Sequence, residues 1–365
     1  MCKVVNTIGS LKALKDGLNS NNIHDFSSLR EVINFRNSFT SLRQHLIEQH
    51  GKLIVDEKEA LEFDLEDLQL NIQKQRRYYD DLIVIEQNRL NLLSEFADDG
   101  KKNNSLWKIV RKLKNWQSKR KSVRAVRVLD KEANTLIGSL EKEYQKKSDR
   151  HNFIKEKFQT AVSQSAEIEL NELHRKKVVV DKLSSFIYGA LGEQKVVKFL
   201  EDLSDEFILI NDFSVHFSPA IYNKNENEYI KSVQIDHLLI GPSGIFLIET
   251  KNWSEQSQEN RNLRSPVQQI KRSSFVLFKL LNGPMNKFHI SLDTHHWGDK
   301  KIPIRNLIVL TSTKPREEFK FVKVLLVEEL LSYINYFDKT YADYEANRMA
   351  EYLISISNTT IYSKK

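Results

Sequence analysis

All six prolines of this 365-residue chain lie beyond residue 218. Proline removes a backbone donor and clashes with the preceding turn, so it is the strongest helix breaker. The earlier residues are rich in Leu, Lys, Glu, Gln and Arg, all good helix formers. Residues from about 28 to 182 are therefore expected to be helical in several long segments. The sequence divides into a helical, partly coiled-coil region over 1–182, an α/β domain over 183–335 and a helical tail over 336–365.

Two segments of the first half carry readable patterns. Leu61, Leu65, Leu68, Ile72, Tyr79 and Leu82 recur at helical spacings, with Gln75 in the polar gap. That is a short coiled-coil or helical-hairpin seam, open to a second copy, to a protein partner or to other helices of the same chain. From Lys101 to Arg127 there are eleven Lys or Arg residues and no acid. Leu106, Ile109, Leu113 and Trp116 form an apolar face that leaves Lys108, Arg111, Lys112 and Lys114 to present charge, followed by Lys119, Arg120 and Lys121. With a net charge of +7 and a pI near 9.1, a polyanion is the natural partner, nucleic acid first. An anionic membrane surface, an acidic protein and a merely solvated helix face remain alternatives.

The single cysteine, Cys2, excludes an intrachain disulfide framework and a Cys-based zinc site. The first twenty residues lack an apolar signal-peptide core, and no run of about 18 apolar residues occurs. A soluble protein of the reducing cytoplasm, without a transmembrane segment, is expected.

The second half reads as short apolar strands and helices in the order helix, strands, hairpin, helix, strand, strand, helix. Its centre is Gln234–Trp253, QIDHLLIGPSGIFLIETKNW. If Pro242 and Ser243 form a two-residue loop, opposing residue numbers add to 485 and Asp236 lies across from Glu249. Lys251 shares their face because side chains alternate along a strand. Two facing carboxylates repel. Either Lys251 neutralises one of them in a cross-strand ion pair, or a divalent cation sits between them. His237 is expected on the opposite face as a structural residue. The spacing of His289, His295 and His296 fits no single helix face, so these read as part of a loop, with Trp297, Lys287, Lys300 and Lys301 beside them.

With G-A-L-G-E at 189–193 and P-V-Q-Q at 266–269, this hairpin resembles the NERD (nuclease-related) domain of the PD-(D/E)xK restriction-endonuclease-like superfamily. The resemblance spans Gly189 to about Leu330 and leaves the helical first half outside. It implies a mixed sheet flanked by helices and a metal-dependent nuclease, with Mg²⁺, or Mn²⁺ in its place. By the same resemblance Asp236, Glu249, the Thr250 carbonyl and Glu193 would hold the metal. Lys251 would sit beside the attacking water and the scissile phosphate, and Gln268 would face the site. Such a nuclease is expected to act on DNA ahead of RNA, with low sequence specificity because no base-reading motif is apparent, and a part in host defence is implied by analogy alone. The alternative is a catalytically silent nucleic-acid-binding or scaffolding protein that works through its basic helices.

Overall fold

The computed structural model describes residues 1–98, 105–252, 264–282, 302–313 and 317–362, the side chains of 93–98, 105–108 and 264 excepted. The elements run β1 (Lys3–Val5), α1 (Gly9–Ser20), α2 (Leu29–Asp98), α3 (Ser105–Glu156), α4 (Phe158–Lys182), α5 (Ser184–Leu200), β2 (Ile208–Asn223), β3 (Glu228–Gly241), β4 (Gly244–Lys251), α6 (Arg264–Asn282), β5 (Ile304–Leu310), β6 (Lys323–Leu326), α7 (Leu330–Asn335), α8 (Asp343–Ile356) and β7 (Thr359–Tyr362). They form two compact units, one of Met1–Ser38 with Arg175–Lys365 and one of Phe39–His174. This division differs from boundaries at 182 and 335: the first 38 residues and the tail both belong with the sheet.

The sheet unit is the expected α/β architecture. Its mixed sheet has the strand order β1-β2-β3-β4-β5-β6, with β7 also paired to β2. The β2–β3 and β3–β4 pairs are antiparallel, and β4–β5 and β5–β6 are parallel. Alternation along β4 supplies both cores. Ile245 and Leu247 join residues of α6 and α8, while Phe246 and Ile248 join residues of α5 and α7. A strand buried on both faces needs the continuous apolar run IFLI that the sequence supplies. The ends of the chain contribute two short strands that helical periodicity did not signal. β1 pairs with β2 at Ile208–Ile210, and β7 pairs with the same strand at Val215–Ser218.

The helical unit is an antiparallel arrangement of α2 and α3 with α4. Arg150 donates two 2.8 Å hydrogen bonds to Glu57, Lys147 lies 2.9 Å from Asp64, and Arg76 pairs with Glu141. The partner numbers fall on one helix as they rise on the other, which fixes the antiparallel sense. Ile54, Ile154, Ala161 and Val162 are buried together, and Leu61 of the expected seam packs against them. At that end the seam is covered by the chain itself.

Candidate active site

The GPSG turn sets the register. β3 and β4 pair from Gly241↔Gly244 to His237↔Ile248, so Asp236 and Glu249 are the next facing positions. There the two strands part. β4 continues along β5 as far as Lys251↔Leu310. The Thr250 N–H donates 2.8 Å to Asp236 Oδ2, so a side chain accepts it at the level where β3 leaves β4. On the far side of β3, Asp212 takes φ 50° within β2. At the same level core-facing parity reverses in both strands. It passes from Ile208 and Ile210 to Phe213 and Val215, and from Leu238 and Ile240 to Ile235 and Val233. A left-handed residue inside a strand is costly for a non-glycine, though least so for Asp or Asn. Gln234 Nε2 donates 2.7 Å to the Asp212 carboxylate.

Four carboxylates therefore converge on this fork. Glu249 is buried, with Lys251 Nζ 2.7 Å from Oε1 and Gln269 Nε2 3.0 Å from Oε2. Burial pushes its carboxyl up to about 7, with the charge of Asp236 adding to the effect and Lys251 opposing it. Burial also raises Asp236, against the Thr250 N–H and Lys251, while Asp212 adds to the rise. Burial alone would lower Lys251, but its bond to Glu249 and the nearby acids hold its ammonium above the usual range. The acids titrate as a set, because each charge changes the cost of the next.

The fourth acid arrives from α5. Glu193 is buried, and burial with the charge of Asp236 lifts it to about 7 despite its bonds to Ser10. Ser10 N–H donates 3.3 Å to Glu193 Oε2, and the Ser10 hydroxyl donates to Oε1. Ser10 lies in the first turn of α1, so the Glu193 carboxylate also meets the positive end of that helix. The two glycines of the G-A-L-G-E run make this approach possible. A Cβ on Gly192 would come within 2.7 Å of Asn252 Cβ and 3.3 Å of Thr250 Cγ2, and one on Gly189 within 2.5 Å of Ser10 Oγ.

Residues 188–311 match the family model of the nuclease-related domain, NERD. No curated protein matches the chain, and no solved structure does. The NERD segment holds Glu193, Asp212, Asp236, Glu249, Lys251 and Gln269; Ser10 and the helical unit lie outside it.

Within the NERD segment the structure brings Asp236, Glu249, Lys251 and Glu193 to one place. Gln268 is the exception. It is exposed, and Gln269 makes the contact with Glu249. One residue on a helix is a rotation of about 100°. The buried positions Val267, Ile270, Ser273 and Leu277 fix the phase of α6, so 269 faces the sheet edge and 268 faces water. Thr250 is buried with Oγ1 unpartnered, and its N–H serves Asp236. His237 is buried and held neutral, its pKa lowered to about 3 by burial. Its Nδ1 lies 2.8 Å from Asn211 Oδ1, and the Asn211 amide donates to Asn6 O, so the ring nitrogen is the donor.

The site residues that sequence reasoning missed are Ser10, Asp212 and Gln269. The P-V-Q-Q run contained Gln269, but Ser10 carried no signal. Among the described residues no group of three or more His, Cys, Asp or Glu is gathered closely enough to hold a metal ion. Glu249 and Glu193 instead have both oxygens engaged by protein donors. Residues 289, 295, 296, 297, 287, 300 and 301, with Trp253, lie outside the described residues.

The basic positions belong to the helical unit. Arg111, Lys112, Lys114, Arg120 and Lys121 are exposed and Lys119 is half-buried, while the Lys108 side chain is outside the described residues. Arg120 stacks over Trp116 at 4.1 Å. Ile109, Leu113 and Trp116 of the expected apolar face are each more than half exposed. No described helix is long and apolar enough to cross a membrane.

Proposed function

We propose that this protein is a metal-dependent nuclease that hydrolyses phosphodiester bonds, in DNA ahead of RNA and with little sequence preference. The observation that carries this reading is the strand fork. It places Asp236, Glu249 and Lys251 together and brings Glu193 in from α5. The donor chemistry fits a hard divalent cation, Mg²⁺ or Mn²⁺, because carboxylates crowded out of water are the groups such an ion stabilises. Asp236, Glu249, Glu193 and the Thr250 carbonyl would hold it, and once bound it would supply Lewis acidity and a more acidic water.

Each protein group then has a task. Asp236 is oriented by the Thr250 N–H and keeps its other oxygen for the site. Gln269 orients Glu249. Lys251 balances charge: its ammonium offsets the Glu249 carboxylate here and would offset charge growing on a phosphate at the same edge. The basic face of α3 would bind the phosphate backbone without reading bases. A cytoplasmic enzyme of host defence is the setting that suits such a pairing, by analogy.

A second reading is favoured by one observation. Lys251, Gln269 and Ser10 occupy the carboxylate oxygens that an ion would need. A protein fixed in this arrangement would bind nucleic acid without cutting it. Cleavage of supercoiled plasmid separates the two readings, using wild type, Asp236→Ala and Lys251→Ala with Mg²⁺, Mn²⁺ or EDTA. Metal-dependent nicking that both substitutions abolish supports the nuclease. Folded wild type that binds DNA but cuts no plasmid, linear DNA, single strand or RNA supports the silent protein.

A further inference from the structure

Beside the seam that runs through Leu61 and Leu68, α2 carries a second apolar stripe. Phe63, Leu70, Tyr78, Ile85 and Leu92 are each more than half exposed. Their spacings are seven, eight, seven and seven residues. That averages close to two turns of an undistorted α-helix, so the stripe holds one side of the helix for roughly 43 Å. The seam residues Leu61, Leu65, Leu68, Ile72, Tyr79 and Leu82 are all at least partly buried. α2 therefore presents two apolar faces, and the described residues leave the second one exposed.

We propose that a second copy of this chain docks on that stripe, α2 against α2, antiparallel, with facing residue numbers adding to 155. The stripe is self-complementary in this register. Phe63 meets Leu92, Leu70 meets Ile85, and Tyr78 meets Arg77 at the two-fold centre. The polar positions between them select the same pairing. Lys74 faces Asp81, twice by symmetry. Both of these side chains are exposed.

A parallel, in-register pair would do the reverse. It would set Lys74 and Asp81 each against its own copy, and like charges at facing positions repel. The pattern thus names both the partner and its direction. A two-fold, isologous contact of this kind closes on itself and makes a dimer, not a filament. The inference stands on the exposed face of α2 and its charges, and it does not depend on the nuclease reading.

Sedimentation equilibrium of the full chain, at high salt to remove nucleic acid and then at moderate salt, tests it. The expected result is a monomer–dimer equilibrium. Lys74→Glu and Asp81→Lys should each weaken association by roughly tenfold, since each puts two like-charged pairs into the dimer. The double variant Lys74→Glu/Asp81→Lys should return to near wild-type association. Ile85→Glu should leave a folded monomer, with circular dichroism confirming the helices. A wild-type chain that stays monomeric over the accessible concentrations overturns the proposal. A dimer that ignores the single charge reversals, or that the double variant fails to restore, overturns the register and with it the proposed contact.

Discussion

Ser10 and Glu193 lie 183 residues apart in sequence, and the hydroxyl and N–H of the first both donate to the carboxylate of the second. The acidic centre is therefore completed by a residue outside the NERD segment. α1 has no side-chain cap of its own at Ile8, and Glu193 supplies acceptors for its first turn from another part of the fold.

Removing Ser10 should accordingly loosen both partners. Ser10→Ala is expected to cost about 1–2 kcal/mol, because it takes a donor from a buried carboxylate. Urea unfolding of Ser10→Ala, Glu193→Gln and the double variant measures it. A coupling near 1 kcal/mol is expected for groups in contact, and independent effects would show that the bond contributes nothing.

Glu249 gives a pH signature. Its carboxyl titrates near 7 in the fold, against 4.5 unperturbed. An acid raised in this way lends stability that is fully present below about 4.5 and is lost as pH climbs through about 7. Without metal, Glu249→Gln should therefore gain on wild type between those values, by on the order of 2–3 kcal/mol at pH 8. Thermal melts of both proteins from pH 4.5 to 8 would show the crossover. A pH-independent difference between them would place the Glu249 titration elsewhere.

The two adjacent glutamines separate by function. Gln269→Ala should lower metal-dependent cleavage by about 10- to 100-fold, the loss of one bond to a charged group. Gln268→Ala should leave single-turnover rates unchanged, because that side chain faces water. Equal effects of the two would undo the assignment.

Gly192→Ala probes the close approach of α5 to β4. The added methyl would meet Asn252 Cβ at 2.7 Å, a contact that must push helix and strand apart. A destabilisation of about 1–3 kcal/mol is expected in chemical denaturation. A neutral substitution would mean that the helix moves freely at this point.

On the basic helix, replacing Lys112, Lys114 and Lys121 together with Ala should weaken DNA binding alike for all sequences. The slope of log affinity against log salt should fall by about 2–3. Fluorescence anisotropy at several salt concentrations reads this directly, and an unchanged slope would take the phosphate contacts off this face.

Much of the centre was legible because a turn of two residues leaves no freedom of register. Once GPSG closes the hairpin, Asp236 must face Glu249, and alternation puts Lys251 beside them. The proline distribution was equally plain, since α2, α3 and α4 contain none. What stayed hidden has physical causes. Ser10 is an ordinary serine until folding brings α5 to it. The left-handed residue Asp212 goes with the parity reversal that β2 and β3 share, and a lone Asp does not announce it. Gln268 and Gln269 differ only by helix phase, which depends on which residues of α6 the sheet buries. β1 and β7 are three and four residues long, and only the edge of β2 makes them strands.

The helical unit leaves the sheet unit after Ser38 and returns before Arg175. Close to those crossing points Arg36 lies 3.7 Å from Asp181 and its guanidinium donates to the Tyr188 hydroxyl. Exit and return thus share one doorway on the sheet unit. A gene that joins residue 38 to residue 175 through a short flexible link would keep Ser10, Glu193, Asp212, Asp236, Glu249, Lys251 and Gln269 in one polypeptide. Such a chain would let the acidic centre be assayed without the helical unit.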